Sequence, residues 1–334
     1  MARIFRPAPT ALICGISGQD GAYLAAHLLR CGYRIVGTSR NAAVCDRSGL
    51  ESLGIAGQVE IESLSPTDLP GTLELLRRLR PEEVYNLSGQ SSIAVSYAEP
   101  AETFSSIAAA TVNLLESVRV SGIPTRVFVA GSTAMYGDNG GRPVDESTLP
   151  CPTNPYALAK AAAFAQVEQY REQYGIHACT GILANHESPL RPARFVTQKI
   201  VHAACRIAAG DPGKLVLGDL SVERDWGWAP EYVVAMRDML QMAEPEDLVL
   251  ATGVSEPLET FVDEVFSRLG LDWSEHVVHD ERLVRRDEAR RLCTDPGRAA
   301  DRIGWRAEST IRDVARMMVD ARLNRAGQTL RRVA

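Results

Sequence analysis

Over roughly the first half of the chain, short apolar runs alternate with stretches in which apolar residues recur at helical spacing. Residues 11–14, Ala-Leu-Ile-Cys, form a run that ends on Gly15 and predicts a first buried strand. Residues 21–31 place Leu24, Leu28 and Leu29 on one helical face, and Gly32 closes the segment. Further strands are predicted at 34–38, 83–87, 126–130 and 177–184, and further helices at 73–80, 107–120 and 155–174. Strands that alternate with helices predict an α/β fold, a doubly wound parallel sheet of the Rossmann type. After Asn185 the pattern becomes irregular, with frequent Gly and Pro up to residue 230 and helices at 198–209, 230–242 and 258–269. The predicted division is a Rossmann domain over 1–184 and a smaller C-terminal α/β substrate-binding domain over 185–330, with segments of the latter returning to the sheet. The basic residues 325–334 are expected to fray.

The first strand runs into Gly15-Ile-Ser-Gly18-Gln-Asp-Gly21 at the start of a helix. Glycines there let the backbone turn tightly and approach a pyrophosphate, and the helix N-terminus offers free N–H groups. The spacing is GxxGxxG, not the GxGxxG of the commoner dinucleotide fingerprint. The second predicted strand ends in Thr38-Ser39-Arg40. An acidic residue at this place would hold the ribose 2′-hydroxyl of NAD, whereas hydroxyls with an arginine suit a 2′-phosphate. The expected cofactor is therefore NADP(H) rather than NAD(H).

Tyr156 and Lys160 stand at i and i+4 of a predicted helix, on one face. An ammonium beside a phenol favours the phenolate, which makes the tyrosine a workable acid/base for a sugar hydroxyl during hydride transfer. Ser132 follows the strand at 126–130, where hydroxyls point into the ligand crevice of an open α/β sheet.

Composition narrows the alternatives. The chain has 334 residues, 45% hydrophobic and 23% charged, with a net charge of −6. A mildly acidic chain is a poor nucleic-acid binder. Seven scattered cysteines without CxxC spacing argue against a disulfide framework or a metal site. Absence of a signal core or a membrane-length apolar run points to the cytoplasm.

Longer stretches carry a resemblance. Gly18-Gln-Asp-Gly-Ala-Tyr-Leu24, Glu83-Val-Tyr-Asn-Leu87 with Gln90-Ser91, Gly181 through Arg191 with its Asn185-His-Glu-Ser-Pro run, Phe195 through Ile200, and Arg224-Asp-Trp-Gly227 resemble the extended short-chain dehydrogenases. Within them the chain is most similar to the GDP-mannose 4,6-dehydratase family, over roughly residues 10–320. The resemblance implies Ser132, Tyr156 and Lys160 as the catalytic hydroxyl, tyrosine and lysine. It implies Gly15, Gly18, Gln19, Asp20, Gly21, Thr38, Ser39, Arg40, Leu87 and Gln90 around the cofactor. Thr133, Asn185, Glu187, Lys199, Arg224 and Arg285 are implied around a nucleotide sugar, GDP-linked by the same resemblance. The segment 41–50 resembles one that joins subunits, which implies a homodimer or homotetramer.

Three departures stand out. The family's dehydratases carry a glutamate two residues after the catalytic hydroxyl, and this chain has Ala134. Arg285-Arg286 resembles the related reductases of GDP-4-keto-6-deoxy-mannose, since the dehydratases usually have a proline after the arginine. Ser63 stands where an acidic residue often meets the adenine. The expected activity is thus oxidation or reduction at C4 of a GDP-hexose or GDP-heptose. A dehydratase with a relocated acid/base, for which His186 and Glu187 lie close in sequence to Asn185, and a non-catalytic nucleotide-sugar binder are the alternatives.

Overall fold

The computed structural model describes residues 8–284 and 289–333, with side chains described through residue 324. Twelve strands occur among them: β1 (Thr10–Cys14), β2 (Arg34–Ser39), β3 (Val59–Ser63), β4 (Glu83–Asn86), β5 (Arg126–Ala130), β6 (Ala178–Leu183), β7 (Asn185–Glu187), β8 (Leu215–Leu217), β9 (Glu223–Trp228), β10 (Leu248–Leu250), β11 (Ser255–Pro257) and β12 (Val277–His279). The α-helices are α1 (Gln19–Arg30), α2 (Ser48–Ser52), α3 (Leu69–Leu79), α4 (Ile93–Ala98), α5 (Pro100–Phe104), α6 (Ala110–Ser121), α7 (Pro155–Tyr174), α8 (Val196–Ala208), α9 (Ala229–Gln241), α10 (Leu258–Arg268), α11 (Gly297–Ile303) and α12 (Ile311–Val333).

A seven-stranded sheet has the order β10-β6-β5-β4-β1-β2-β3, and the strand pairs from β3 through β6 run parallel. This is the Rossmann order, which reverses direction at the boundary between β1 and β4 and opens a crevice at their carboxyl ends. The central strands are buried on both faces: Leu12, Val36, Val84 and Val127 lie in register on one face, and Ile13, Ile35, Tyr85 and Phe128 lie on the other. β3 escapes the sequence pattern because Glu60, Glu62 and Ser63 give it a polar character suited to an edge strand.

The chain forms two compact units. The first comprises residues 1–135, 154–182 and 233–248, and the second comprises 136–153, 183–232 and 249–334. The second unit holds the three-stranded sheet β11-β9-β7 and the pair β12-β8. Its core gathers Ile200 and Ala204 of α8, Phe261 and Val265 of α10, and Val314 and Met318 of α12. These strands carry only three residues each apart from β9, too few to announce themselves by alternation.

α12 runs to Val333, through the residues expected to fray. One sequence expectation needs correction. The helix expected from residue 107 is preceded by α5 and a π-helical turn, Ser105–Ala109, that connects it to α6. That wider turn places Ser106 beside the loop after β4, where its Oγ lies 3.4 Å from the Gln90 amide. The glycine at 89 makes the approach possible: a Cβ there would stand 3.0 Å from the Ser106 carbonyl oxygen.

Candidate active site

Local sequence explains the glycine turn. Gly15 adopts φ +90, and a Cβ on it would stand 2.7 Å from the carbonyl oxygen of Leu87 at the end of β4. A Cβ on Gly21 would stand 2.3 Å from the Gly15 oxygen. Only glycines allow β1, α1 and the β4 loop to close this tightly. Gly18 is the N-cap of α1 and supplies no side chain to its first turn. The helix therefore starts with amides available to an anion, in a cradle whose walls are backbone. Gln19 is buried and donates to Asp20 Oδ1 at 3.1 Å. Such a turn fits the pyrophosphate of a dinucleotide.

At the end of β2, Thr38 is buried and Arg40 is exposed. Thr38 hydrogen-bonds the thiol of Cys14, which burial pushes up to about 11. Ser39 Oγ donates to the Asn41 carbonyl at 3.2 Å. The Ala42 amide donates to Ser63 Oγ at 2.9 Å, so Ser63 anchors the loop that presents Arg40. Gln90 uses its amide on its own loop: Nε2 donates to the Ser92 carbonyl at 2.8 Å and to Thr103 Oγ1 at 3.1 Å, and Oε1 accepts from the Ser92 amide.

The tyrosine helix is set by its cap. Asn154 accepts from the Ala157 amide at 2.9 Å and Pro155 begins α7, which fixes Tyr156 in the first turn and Lys160 one turn on. Lys160 is buried, and its Nζ donates to the Ala130 carbonyl at 2.6 Å, the last residue of β5. The same Nζ lies 5.8 Å from the centre of the Tyr156 ring. Tyr156 packs against Ile107, Ala159 and Ala163, whose small side chains let the helix lie close. Two residues beyond Ala130, Ser132 accepts from the Ala134 amide at 3.3 Å as the chain enters the single turn Thr133–Tyr136. A Cβ on Gly131 would stand 2.6 Å from Thr180 Cγ2, so β5 ends flush against β6. Ser132 and Lys160 are thus both referenced to the end of β5, and Lys160 to Tyr156. Thr133 is buried and Ala134 is half-buried.

The second unit holds the other expected residues. Asn185 opens β7 opposite Trp226 of β9. His186 Nδ1 lies 2.8 Å from the Ala184 carbonyl oxygen, and its ring stacks on Tyr232 with centroids 4.7 Å apart. Glu187 is buried, accepts from Thr197 Oγ1 at 2.5 Å and pairs with Arg191 Nε at 3.3 Å. The Arg191 guanidinium lies 3.7 Å from the centre of the Phe195 ring, which ties the loop before α8 into one clasp. Lys199 Nζ donates to the Val216 carbonyl at 2.7 Å. Arg224 Nη1 donates to the Glu223 carbonyl at 2.7 Å. Arg285, with Arg286, lies outside the described residues.

Three features escaped the sequence reading. Asp225 is buried on β9 and accepts from the Thr252 amide at 3.0 Å, the Gly253 amide at 2.7 Å and Thr294 Oγ1 at 2.9 Å. Burial raises its carboxyl above the ordinary aspartate value, and the bonds from Thr252, Thr294 and Gly253 work the other way. Glu102 stands opposite Arg40. The third is the seat of Tyr232 against Gly227. The first two depend on distant segments meeting, which no local pattern encodes, and the third lies where β9 passes into α9. Among the described residues no cluster of His, Cys, Asp and Glu could hold a metal ion, and no helix is long and apolar enough to cross a membrane.

The strand order, the glycine turn at β1 and the Tyr156–Lys160 pair beside β5 define the extended short-chain dehydrogenase/reductase class. The family model described as GDP-mannose 4,6 dehydratase matches residues 12–318, and the chain belongs to that family of nucleotide-sugar enzymes. It is 39% identical to GDP-mannose 4,6 dehydratase 1 of Arabidopsis thaliana, over 97% of this chain and 92% of the relative. A dTDP-glucose 4,6-dehydratase from Streptomyces venezuelae, solved with NAD bound, superposes with a TM-score of 0.83 at 20% identity, over 95% of this chain and 98% of that one. RMD from Pseudomonas aeruginosa, solved with NADPH, gives a TM-score of 0.79 at 22% identity, over 95% and 100%. At these identities the two structures speak for the fold.

Proposed function

We propose that the protein is an NADP(H)-dependent oxidoreductase acting at C4 of a GDP-linked hexose or heptose. The observation that carries this reading is the methyl group of Ala134 beside an otherwise complete Ser132, Tyr156 and Lys160 set. Removing water across C5 and C6 of a 4-keto sugar needs one group to take the C5 proton and one to protonate the departing hydroxyl, and a methyl does neither. Exchange of hydride at C4 asks less. The Tyr156 phenolic oxygen takes or returns the proton of the C4 hydroxyl. Lys160, held by the Ala130 carbonyl, supplies positive charge beside the phenol. Ser132 positions the sugar oxygen by hydrogen bonding. A nicotinamide cofactor in the Gly15–Gly21 cradle supplies the hydride acceptor or donor. Arg40 and Ser39 favour a 2′-phosphorylated one, and the first unit is its domain in this reading. In the same reading Asn185, Lys199 and Arg224 bind the nucleotide diphosphate.

The 39% identity to a named dehydratase favours a second reading, dehydration through a relocated acid/base. Glu187 and His186, the residues first in line, are engaged in packing: one in a buried ion pair with a hydroxyl bond, the other stacked on Tyr232. Mass spectrometry of the product from a panel of GDP-sugars, with NADP⁺ or NADPH present, decides between the readings. Gain or loss of two hydrogens is the expected result. Loss of water would establish the dehydratase, and no change of mass would establish a binder.

A further inference from the structure

Among the described residues, Glu102 is the anion that faces Arg40. Glu102 Oε1 lies 3.7 Å from Arg40 Nη1, with the two side chains 54% and 80% exposed. Both residues belong to the first unit, and both sit on held backbone. On one side the loop after β2 is tied by the Ala42 amide to Ser63 Oγ and by Asn41, whose Oδ1 accepts from the Ala43 amide at 3.0 Å. On the other side α5 begins at Pro100, and its Thr103, fully buried, accepts from Gln90 Nε2. The carboxylate is therefore presented to the guanidinium by the framework of the fold.

As a contribution to folding, such an exposed pair is worth little. Its consequence is for a ligand. In the reading proposed above, Arg40 meets the 2′-phosphate of the cofactor. A phosphate that approaches this guanidinium also approaches Glu102, well within a Debye length, and must displace or tolerate its charge. A cofactor with a plain 2′-hydroxyl meets no such opposition.

We infer that Glu102 is a specificity-determining residue, an internal competitor for Arg40 that weakens binding of 2′-phosphorylated cofactor. The inference rests on the NADP(H) reading. With Glu102 present the local charge around the guanidinium cancels, so discrimination between NADP(H) and NAD(H) is narrower than Arg40 alone would give. The net attraction for the phosphate is also less sensitive to salt.

The test is titration of NADP⁺ and NAD⁺ into the wild type, Arg40→Ala, Glu102→Gln and the double variant, at low and high salt. Glu102→Gln removes one charge from an exposed site and keeps the shape. It is expected to tighten NADP⁺ about three- to tenfold at low salt, from the screened interaction of one carboxylate with a near-dianionic phosphate. NAD⁺ should stay within about twofold. The gain should shrink at high salt, and it should be smaller in the Arg40→Ala background, where the competition for the guanidinium is gone and only the direct repulsion between carboxylate and phosphate remains. If Arg40→Ala weakens NADP⁺ selectively while Glu102→Gln changes nothing, Glu102 is not a competitor and the cofactor reading stands. If Arg40→Ala leaves the NADP⁺/NAD⁺ ratio unchanged, the 2′-phosphate assignment falls and this inference with it.

Discussion

Thr197 donates its hydroxyl to Glu187 at 2.5 Å, inside the second unit and out of contact with water. The other partner of the carboxylate is Arg191, 3.3 Å away and itself stacked on Phe195. A carboxylate bound in this way acts as the bolt of its loop. Breaking a buried ion pair by removing one partner strands the other charge and costs about 3–5 kcal/mol.

Glu187→Gln keeps an acceptor for Thr197 and so should fall at the lower end, about 3 kcal/mol. The measurement is thermal or urea denaturation of the variant beside the wild type. Turnover per folded molecule should fall far less than the roughly 10²–10⁴-fold expected when a general acid or base is lost. A full loss of turnover with unchanged stability would make Glu187 a proton-transfer group after all.

Tyr156→Phe should lower hydride transfer by about 10²–10⁴-fold and leave nucleotide-sugar affinity nearly unchanged, because only a proton-transfer group is removed. Lys160→Ala should behave differently. It removes the charge beside the phenol and the bond to the Ala130 carbonyl, leaving the helix less firmly seated on β5. Lower turnover, weaker cofactor binding and a lower melting temperature are all expected of it. Single-turnover absorbance at the nicotinamide band, with calorimetric titration of the ligands, separates the two variants. Near-normal turnover in Tyr156→Phe would refute the proton path.

Much of this site was legible in the sequence, for a physical reason. The central strands of the main sheet are buried on both faces, so their apolar runs stand out, and the residues at their carboxyl ends follow directly: Gly15 after β1, Arg40 after β2, Ser132 after β5. Tyr156 and Lys160 were legible because helical spacing is local. Glu102, by contrast, meets Arg40 across a sequence gap that no periodicity spans. Asp225 gathers donors from Thr252, Gly253 and Thr294, and nothing around it in the chain announces them. β3 was hidden by its own polarity, and β7, β8, β11 and β12 by their brevity.

The pairing of Gly227 and Tyr232 yields a prediction of stability. A Cβ on Gly227 would stand 2.3 Å from Tyr232 Cε2 and 2.4 Å from its hydroxyl oxygen. The ring cannot retreat easily, since it stacks on His186 and meets Trp305 edge-on at 5.4 Å. Gly227→Ala should therefore destabilise the protein by at least about 2 kcal/mol, the range of overpacking. The Tyr232 hydroxyl is fully buried and has no hydrogen-bond partner among the described residues. Tyr232→Phe should consequently be neutral or stabilising, and should recover part of the loss in the double variant. Denaturation of the four proteins forms a cycle. A fully additive cycle would mean that the Tyr232 hydroxyl takes no part in excluding a Cβ at Gly227.

The last prediction concerns Ala134, which stands where the family resemblance puts a glutamate. Its amide donates to Ser132 Oγ at 3.3 Å, so the residue is fixed in the turn that carries the catalytic hydroxyl, and its side chain is half-buried. A carboxylate at this place would stand two residues from Ser132, where the family resemblance puts the acid/base for elimination. With a methyl there instead, dehydration should run about 10²–10⁴-fold below the rate of a carboxylate-bearing relative even if C4 chemistry is intact. Incubation of the wild type with GDP-mannose and related GDP-sugars, NADP⁺ being supplied, should yield a 4-keto sugar without expulsion of water from C6. Ala134→Glu restores the carboxyl group. A larger side chain in a half-buried turn strains its surroundings, so only a trace of the 4-keto-6-deoxy product is expected from the variant. Mass spectrometry distinguishes the outcomes. A trace of water loss in Ala134→Glu, and none in the wild type, would place the missing chemistry at this one side chain. Robust formation of the 4-keto-6-deoxy sugar by the wild type would defeat the oxidoreductase reading. Attention would then turn to His186 and Glu187, and the stability cost of replacing each would have to be separated from its effect on proton transfer.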